Sequence, residues 1–379
     1  MVNVIVVGGG MVGGYCAYQL ARHGLKPLLL ERGEVASGAS GRGGGLLLKG
    51  ATDLFTPEIA PHLLANQKLL EDFLQETASD AEYLRAGSLY IALEEDWDLT
   101  QRKVKRLNES GIPAELWDHE ELKRRMPSVT RKAVGGRFIP GDAQLASPKL
   151  ATSFVQAARQ AGAKIKAGVT VTSLVTDEKG SVQGVRTSED TIHADWLILA
   201  TNAYAAHLIP ELRPVIVPTR GQAFLTTPLA PAFPYACAAH DDLEYWRQTR
   251  TGQILFGGCR RNETRYPNGK GTESTDTTPE VQQALRQAFG FLFPDWANIP
   301  LEKAWAGTMG FTPDYKPLIG LLPGHSNLLI AAGFSGNCLP LVCITGQLIR
   351  EIVLNGQTSL ALTPFKPGRF FEGRSEKRA

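Results

Sequence analysis

The chain opens on a strand, a run of glycines and a helix, and that arrangement leaves few folds open to it. Residues 4–7 are Val-Ile-Val-Val, and Gly8-Gly9-Gly10-Met11-Val12-Gly13-Gly14 follows without a break. A short apolar run bounded by glycine reads as a buried parallel strand, and the small and apolar residues from 11 to 20 read as a helix. In such a turn Gly8 permits the tight bend, Gly10 lets backbone amides approach phosphate, and Gly13 lets helix and strand pack closely. The helix N-terminus, at Met11 and Val12, adds partial positive charge. A second apolar strand, Pro27-Leu28-Leu29-Leu30, ends in Glu31, eighteen residues after Gly13. A carboxylate there accepts hydrogen bonds from ribose hydroxyls. The pattern predicts a Rossmann-like βαβ unit that binds a dinucleotide. One unit later comes a second cluster, Ser37-Gly38-Ala39-Ser40-Gly41-Arg42-Gly43-Gly44-Gly45.

Length and charge set the outer bounds. A chain of 379 residues can bury a large core and is expected to make two domains, interleaved in sequence. A net charge of +2 gives no electrostatic case for nucleic acid or an acidic membrane surface. The start enters the first strand at once, with no basic n-region, so no signal peptide is expected. No apolar run reaches the roughly 18 residues needed to span a bilayer. The five cysteines are odd in number and have no CxxC spacing. They read as reduced thiols of a cytoplasmic protein rather than a zinc site or a disulfide frame. The seven histidines have no metal-ligand spacing, and no metal is expected.

Further along, helices are expected at 63–74, 98–109 and 147–162, and strands at 87–93, 135–140, 164–165, 169–175, 182–187 and 196–200. After Pro214 the character changes. Residues 215–226, 244–248 and 253–257 read as antiparallel strands, followed by a helix from a Thr278 cap and Pro279 to about 291. Leu328 to Ala332 is again a buried strand, running into Gly333-Phe334-Ser335-Gly336 and a helix that ends before Gly356. The expected fold is α/β with an α+β insert. A discontinuous Rossmann-like domain takes 1–85, 141–213 and 300–368, an antiparallel-sheet substrate domain takes 86–140 and 214–299, and 369–379 is a flexible tail.

Five motifs recur in a known order: GGGMVGG at 8–14, GASGRGGG at 38–45, ATNAY at 200–204, WAGTMGFTPDYKPLIG at 305–320 and GFSGN at 333–337. Across essentially the whole chain this order resembles the D-amino-acid oxidase superfamily, in the branch that contains sarcosine oxidase, glycine oxidase and gamma-glutamylputrescine oxidase. The resemblance implies an FAD domain beneath an antiparallel substrate domain. It implies oxidation of a carbon next to an amine nitrogen, by hydride transfer to the flavin, to an imine that water hydrolyses. Ser40 and Arg42 would lie along the pyrophosphate and flavin, Gly43, Gly44 and Gly45 would let backbone approach the ring, and Val171 would contact the adenine. Arg32, Ala200, Thr201, Gly307 and Gly333 join them as cofactor contacts. The segment Ser335, Gly336, Asn337, Cys338 and Leu339 is expected to start a helix, capped by Asn337 or Ser335, whose amides and dipole face the flavin N1–C2 edge. Thr312, Pro313, Asp314 and Pro317 would brace that loop without doing chemistry.

The departures bear on substrate and attachment. Glycine oxidase has an arginine after WAG that grips a carboxylate; here the stretch is Thr308-Met309-Gly310. Sarcosine oxidase has a lysine after GFSG; here Asn337-Cys338-Leu339-Pro340 follows. An uncharged pocket does not readily replace such a grip. The chain therefore leans toward a small primary or secondary amine whose carboxylate is distant or absent, although Arg247, Arg260 or Lys49 could hold one from another direction. The residues near Gly307 and Arg42 are not the cysteine or histidine that attach flavin in relatives, so FAD is expected to be non-covalent. Tyr245 and Arg247 share one face of a strand, with Trp246 on the other, which places an aromatic beside the flavin. Arg260 lies near the position of an oxygen-activating lysine in sarcosine oxidases. The leading expectation is an FAD-dependent amine oxidoreductase that passes electrons to oxygen or to a quinone or protein acceptor. Two rivals stand beside it: an α-amino-acid oxidase or dehydrogenase, and a flavin-bearing subunit of a larger dehydrogenase complex. A two-nucleotide reductase would need a second GxGxxG, which is absent.

Overall fold

Strand Val4–Val7 sits inside a six-stranded sheet ordered Leu318–Leu321, Leu328–Ala332, Trp196–Leu199, Val4–Val7, Leu28–Glu31, Lys164–Ala167. These coordinates come from a computed structural model that describes residues 3–51, 54–178, 180–240 and 244–371; the expected flexible tail lies outside them from 372 onward. Every pairing in this sheet is parallel except the outermost, where Leu318–Leu321 runs against Leu328–Ala332. All four residues of Val4–Val7 are buried, as a strand covered on both faces requires. Val4 and Val6 join the core formed with helices Met11–Arg22, Ala60–Thr77, Ser147–Gln160 and Val342–Asn355. Ile5 and Val7 pack on the opposite face, with Val182, Val185 and Ala205.

A second sheet has eight strands, ordered Leu301–Phe311, Val217–Thr226, Ile254–Gly258, Glu244–Gln248, Ala236–Ala239, Ser88–Ala92, Gly135–Ile139, Glu115–Asp118. One of its faces is sealed by helix Pro279–Leu292. Phe224, Trp246 and Phe256 from the strands meet Phe289 and Phe293 there, all of them buried. Each such ring contributes roughly 1.5–3 kcal/mol by leaving water. The other face is therefore free to line a site.

Four local expectations are corrected. Leu301–Phe311, assigned from sequence to the nucleotide-binding part, pairs with Val217–Thr226 along its whole length. The last helix begins at Val342 rather than near Gly336, and neither Ser335 nor Asn337 caps it. Thr278 stands at the N-cap of its helix but makes no side-chain cap bond; its hydroxyl instead accepts from Gln222 Nε2 at 2.9 Å. Arg369, the first residue of the expected tail, is bound in place: its Nε donates to Asp314 Oδ2 at 2.8 Å and its Nη2 to Asp314 Oδ1 at 3.1 Å. Among the described residues no helix is long and apolar enough to cross a membrane.

Candidate active site

The C-terminal ends of the parallel strands and the open face of the large sheet enclose a cavity of about 530 Å³, within the usual range for a bound small molecule. Its floor is the first glycine turn. Gly8 adopts φ +112°, and a Cβ on Gly13 would stand 1.9 Å from the Gly8 carbonyl oxygen, so helix and turn touch through bare backbone. Glu31 holds this turn from the side. Its Oε2 accepts from Gly9 N at 2.7 Å and its Oε1 from Gly33 N at 2.8 Å. Gly10, at the N-cap of Met11–Arg22, has no side chain to cap it. The second glycine cluster supplies the cap, with Met11 N donating to Ser40 Oγ at 2.9 Å. The amides of Val12 and Gly13 have no acceptor among the described residues, which leaves a small electropositive opening beside Gly10, Ser40 and Arg42 in the cavity wall.

From there a chain of contacts leads to the second sheet. Arg42 Nη1 donates to the Ala306 carbonyl at 2.8 Å, and Trp305 Nε1 donates to the Arg42 carbonyl at 3.0 Å. The arginine side chain lies across Gly307, where a Cβ would come within 3.2 Å of it. Tyr245 then fills the space between two glycines. A Cβ on Gly44 would stand 2.8 Å from its ring, and one on Gly257 only 2.5 Å. Burial pushes the Tyr245 phenol above its ordinary pKa, with Arg260 nearby pulling the other way. Arg260 stacks on Phe311, its guanidinium 4.5 Å from the ring centroid. Tyr245, Arg260, Met309 and Phe311 all line the cavity, as does the turn from Phe334 to Pro340.

That turn is held at both ends by asparagine. Asn202, in left-handed backbone with φ 46°, accepts from Gly333 N at 2.9 Å and Phe334 N at 3.4 Å. In the middle, Ser335 N donates to Gly310 O at 2.8 Å and Thr312 N donates to Ser335 Oγ at 3.1 Å. At the far end, buried Asn66 reaches across from helix Ala60–Thr77 to Leu339, Cys343 and Ile344. The amides of Gly336, Cys338 and Leu339 have no acceptor among the described residues.

Most of the expected cofactor residues meet here. Gly8, Gly10, Met11, Val12, Glu31, Arg32, Ser40, Arg42, Gly43, Gly44, Gly45, Val171, Ala200, Thr201, Gly307, Ser335, Gly336, Asn337, Cys338 and Leu339 all line the cavity; Gly13 and Gly333 lie behind it. Of the four candidate catalytic residues, Tyr245 and Arg260 line it and Arg247 and Lys49 do not. Arg247 is buried and its Nε donates to the Gly44 carbonyl at 2.7 Å, so it braces the second glycine cluster from behind. Burial pushes its pKa below the ordinary arginine value, with Glu82 opposing. Lys49 is 1% exposed and pairs with Asp142 at 2.8 Å and the Gly141 carbonyl at 2.6 Å. It is a buried strut. Sequence reasoning assigned no site role to Asn66, Asn202, Trp305 or Phe311. The last three stand within quoted motifs; Asn66 carries no local signal.

The open amides at the first helix suit a pyrophosphate, Glu31 suits ribose hydroxyls, and the end of the cavity bordered by Gly43–Gly45, Tyr245, Met309 and the Phe334–Pro340 turn suits a flat ring. These residues fit FAD. The glycine oxidase of Geobacillus kaustophilus is 26% identical over 96% of each chain, and its crystal structure superposes with a TM-score of 0.87 at 24% identity, covering 97% of this chain and 99% of the other. The hydrogen cyanide synthase subunit HcnC of Pseudomonas aeruginosa is 26% identical over 97% of this chain and 96% of its own. L-proline dehydrogenase from P. horikoshii shares the fold with a TM-score of 0.88 at 23% identity, covering 98% of each chain. Residues 3–352 match the DAO family model, described as FAD dependent oxidoreductase, and the chain belongs to that family.

Proposed function

We propose that this flavoenzyme oxidises the C–N bond of a small amino acid or amine to an imine. When bound, FAD supplies the acceptor for the hydride that leaves carbon, and its electrons pass on to oxygen or to a quinone or protein acceptor. The observation that supports the reading is the make-up of the ring end of the cavity. Tyr245, Met309, Phe311 and Pro340 give it mostly apolar walls, and Arg260 is its cation. Such walls exclude water and favour a neutral amine, the form that can release a hydride from its carbon.

The same wall favours an amino acid over a diamine. Among the described lining residues the sole carboxylate is Glu31, whose two oxygens already accept from Gly9 and Gly33. A second ammonium on the substrate finds no counter-charge among those residues, whereas a carboxylate would share Arg260, which also stacks on Phe311. Met309 and Leu339-Pro340 still offer no carboxylate grip of their own, so Arg260 is the residue on which the amino-acid reading depends. The test is an anaerobic screen of amino acids and amines for bleaching of the flavin absorbance, followed by admission of oxygen. Bleaching by amino acids supports the proposal, and failure of every amine and amino acid to bleach a fully loaded protein refutes it. Fast recovery of colour in air identifies an oxidase; persistent bleaching identifies a dehydrogenase.

A further inference from the structure

One buried side chain connects a distant helix to the turn at the ring end of the cavity. Asn66 lies on helix Ala60–Thr77 and is 0% exposed. Its Nδ2 donates to the Leu339 carbonyl at 2.9 Å. Its Oδ1 accepts from Cys343 N at 2.7 Å and Ile344 N at 3.2 Å. Helix Val342–Asn355 has no side-chain cap of its own, so Asn66 caps it from the far side of the core. The Cys343 and Ile344 amides of that helix are therefore spent on Asn66 and are not available to a ligand.

What remains available is the turn before the helix. The Cys338 carbonyl accepts from Leu341 N at 3.0 Å and the Leu339 carbonyl accepts from Asn66. Both carbonyls are tied back, while the amides of Cys338 and Leu339 are left without an acceptor among the described residues, in a segment that lines the cavity. A turn with its oxygens held away and its N–H groups open is an anion-favouring concavity. Preorganised donors of this kind stabilise charge that develops on a bound group.

We propose that Asn66 is a positioning residue that tunes the electron affinity of the bound FAD without touching it. By tying the Leu339 carbonyl to the start of the last helix, it anchors the C-terminal end of the turn, while Leu341 N holds the Cys338 carbonyl; together the two ties keep the amides of Cys338 and Leu339 facing the ring end of the cavity. The inference rests on FAD occupying that cavity, not on the identity of the substrate. Replacing Asn66 removes that anchor, lets the turn shift relative to the last helix, and weakens the stabilisation of negative charge on the ring.

The test uses the FAD-loaded protein and two neutral variants, Asn66→Ser and Asn66→Leu. Sulfite, an anion that adds to oxidised flavin, reports on the charge-stabilising power of the site in the absence of substrate. Loss of one well-placed hydrogen bond predicts roughly tenfold weaker sulfite binding in the Ser variant, together with a more negative flavin midpoint potential. The expected companion result, in the apoprotein, is faster hydrogen exchange at the Cys343 and Ile344 amides. A residue that only stabilises the fold would lower the melting temperature and leave sulfite affinity and potential of the loaded protein at the parental values; that result overturns the proposal. Should the Leu variant fail to fold, the smaller Ser variant decides alone. A protein that responds to Asn66→Ser in this way but is bleached by no amine would keep the inference and refute the proposed function.

Discussion

Glu31→Gln tests the nucleotide end of the site by itself. A carboxylate offers about four acceptor positions. Two are used in the structure, by Gly9 N at 2.7 Å and Gly33 N at 2.8 Å, which leaves two for ribose hydroxyls. Glutamine is the same size, but one of its ends is an NH2 that cannot accept and must face a backbone N–H. One hydrogen bond to a charged group is lost and two donors are brought together, a change of about 1.5–3 kcal/mol. If that loss falls on the complex, FAD affinity drops roughly ten- to hundredfold. Titrating apoprotein with FAD by fluorescence quenching measures it. FMN, which lacks the adenosine half, is the control: its affinity should be unchanged within about twofold, since Glu31 serves the adenosine side. Equal weakening of FAD and FMN would mean that Glu31 merely supports the glycine turn, and unchanged FAD affinity would mean that it does not meet the ribose at all.

Arg260→Met should raise KM for whichever amino acid bleaches the flavin by about two orders of magnitude, the scale of a charge-assisted hydrogen-bonded pair, and leave KM for the matching decarboxylated amine nearly unchanged; an equal effect on both would remove Arg260 from the carboxylate. Arg369→Met probes the brace behind the ring-end turn. Burial acts to raise the Asp314 carboxyl pKa, but the Arg369 guanidinium outweighs it and holds the group below its ordinary value of 3.8. A depressed carboxylate contributes stability above its unfolded value and loses it as pH falls through the folded one. The gap in melting temperature between parent and variant should therefore be constant from pH 7 to about 5 and narrow in more acid solution, below about pH 4, the remainder reflecting the bonds of Arg369 to the Lys316 and Lys366 carbonyls; a gap that does not change with pH contradicts the assignment.

The parts of the site that could be read in the sequence are those whose chemistry is local. A strand, a tight glycine turn and a helix must be contiguous, so spacing alone brings the Gly8–Gly14 turn and Glu31 together, as the bonds from Gly9 N and Gly33 N to Glu31 show. Boundaries such as Ser147–Gln160 followed from periodicity to within two residues. Other parts were not legible because the deciding partner is remote. Arg247, Lys49 and Arg260 are all cations near glycine-rich loops, and the sequence cannot distinguish one inside the cavity from one supporting it. Only pairing decides: Gly44 lies 203 residues from Arg247, and Asp142 lies beside Lys49 in space alone. The start of the last helix was misplaced for the same reason. The sequence offers Ser335 or Asn337 as a cap close to the helix, whereas the cap in the structure, Asn66, comes from 277 residues away.

The strand order of the central sheet also governs when the protein can take up its cofactor. Val4–Val7 finds Leu28–Glu31 early, but its other neighbour, Trp196–Leu199, is made only after half the chain. The strand Leu328–Ala332 and the Phe334–Pro340 wall come later still, more than 300 residues after the glycine turn. On the ribosome the glycine turn therefore waits with one edge of its sheet unpaired, a state exposed to association with other chains. A nascent chain that has not passed residue 340 lacks the far wall of the cavity. A complete cavity therefore needs the chain through Pro340 as well as the opening glycine turn, and FAD loading is expected to require both.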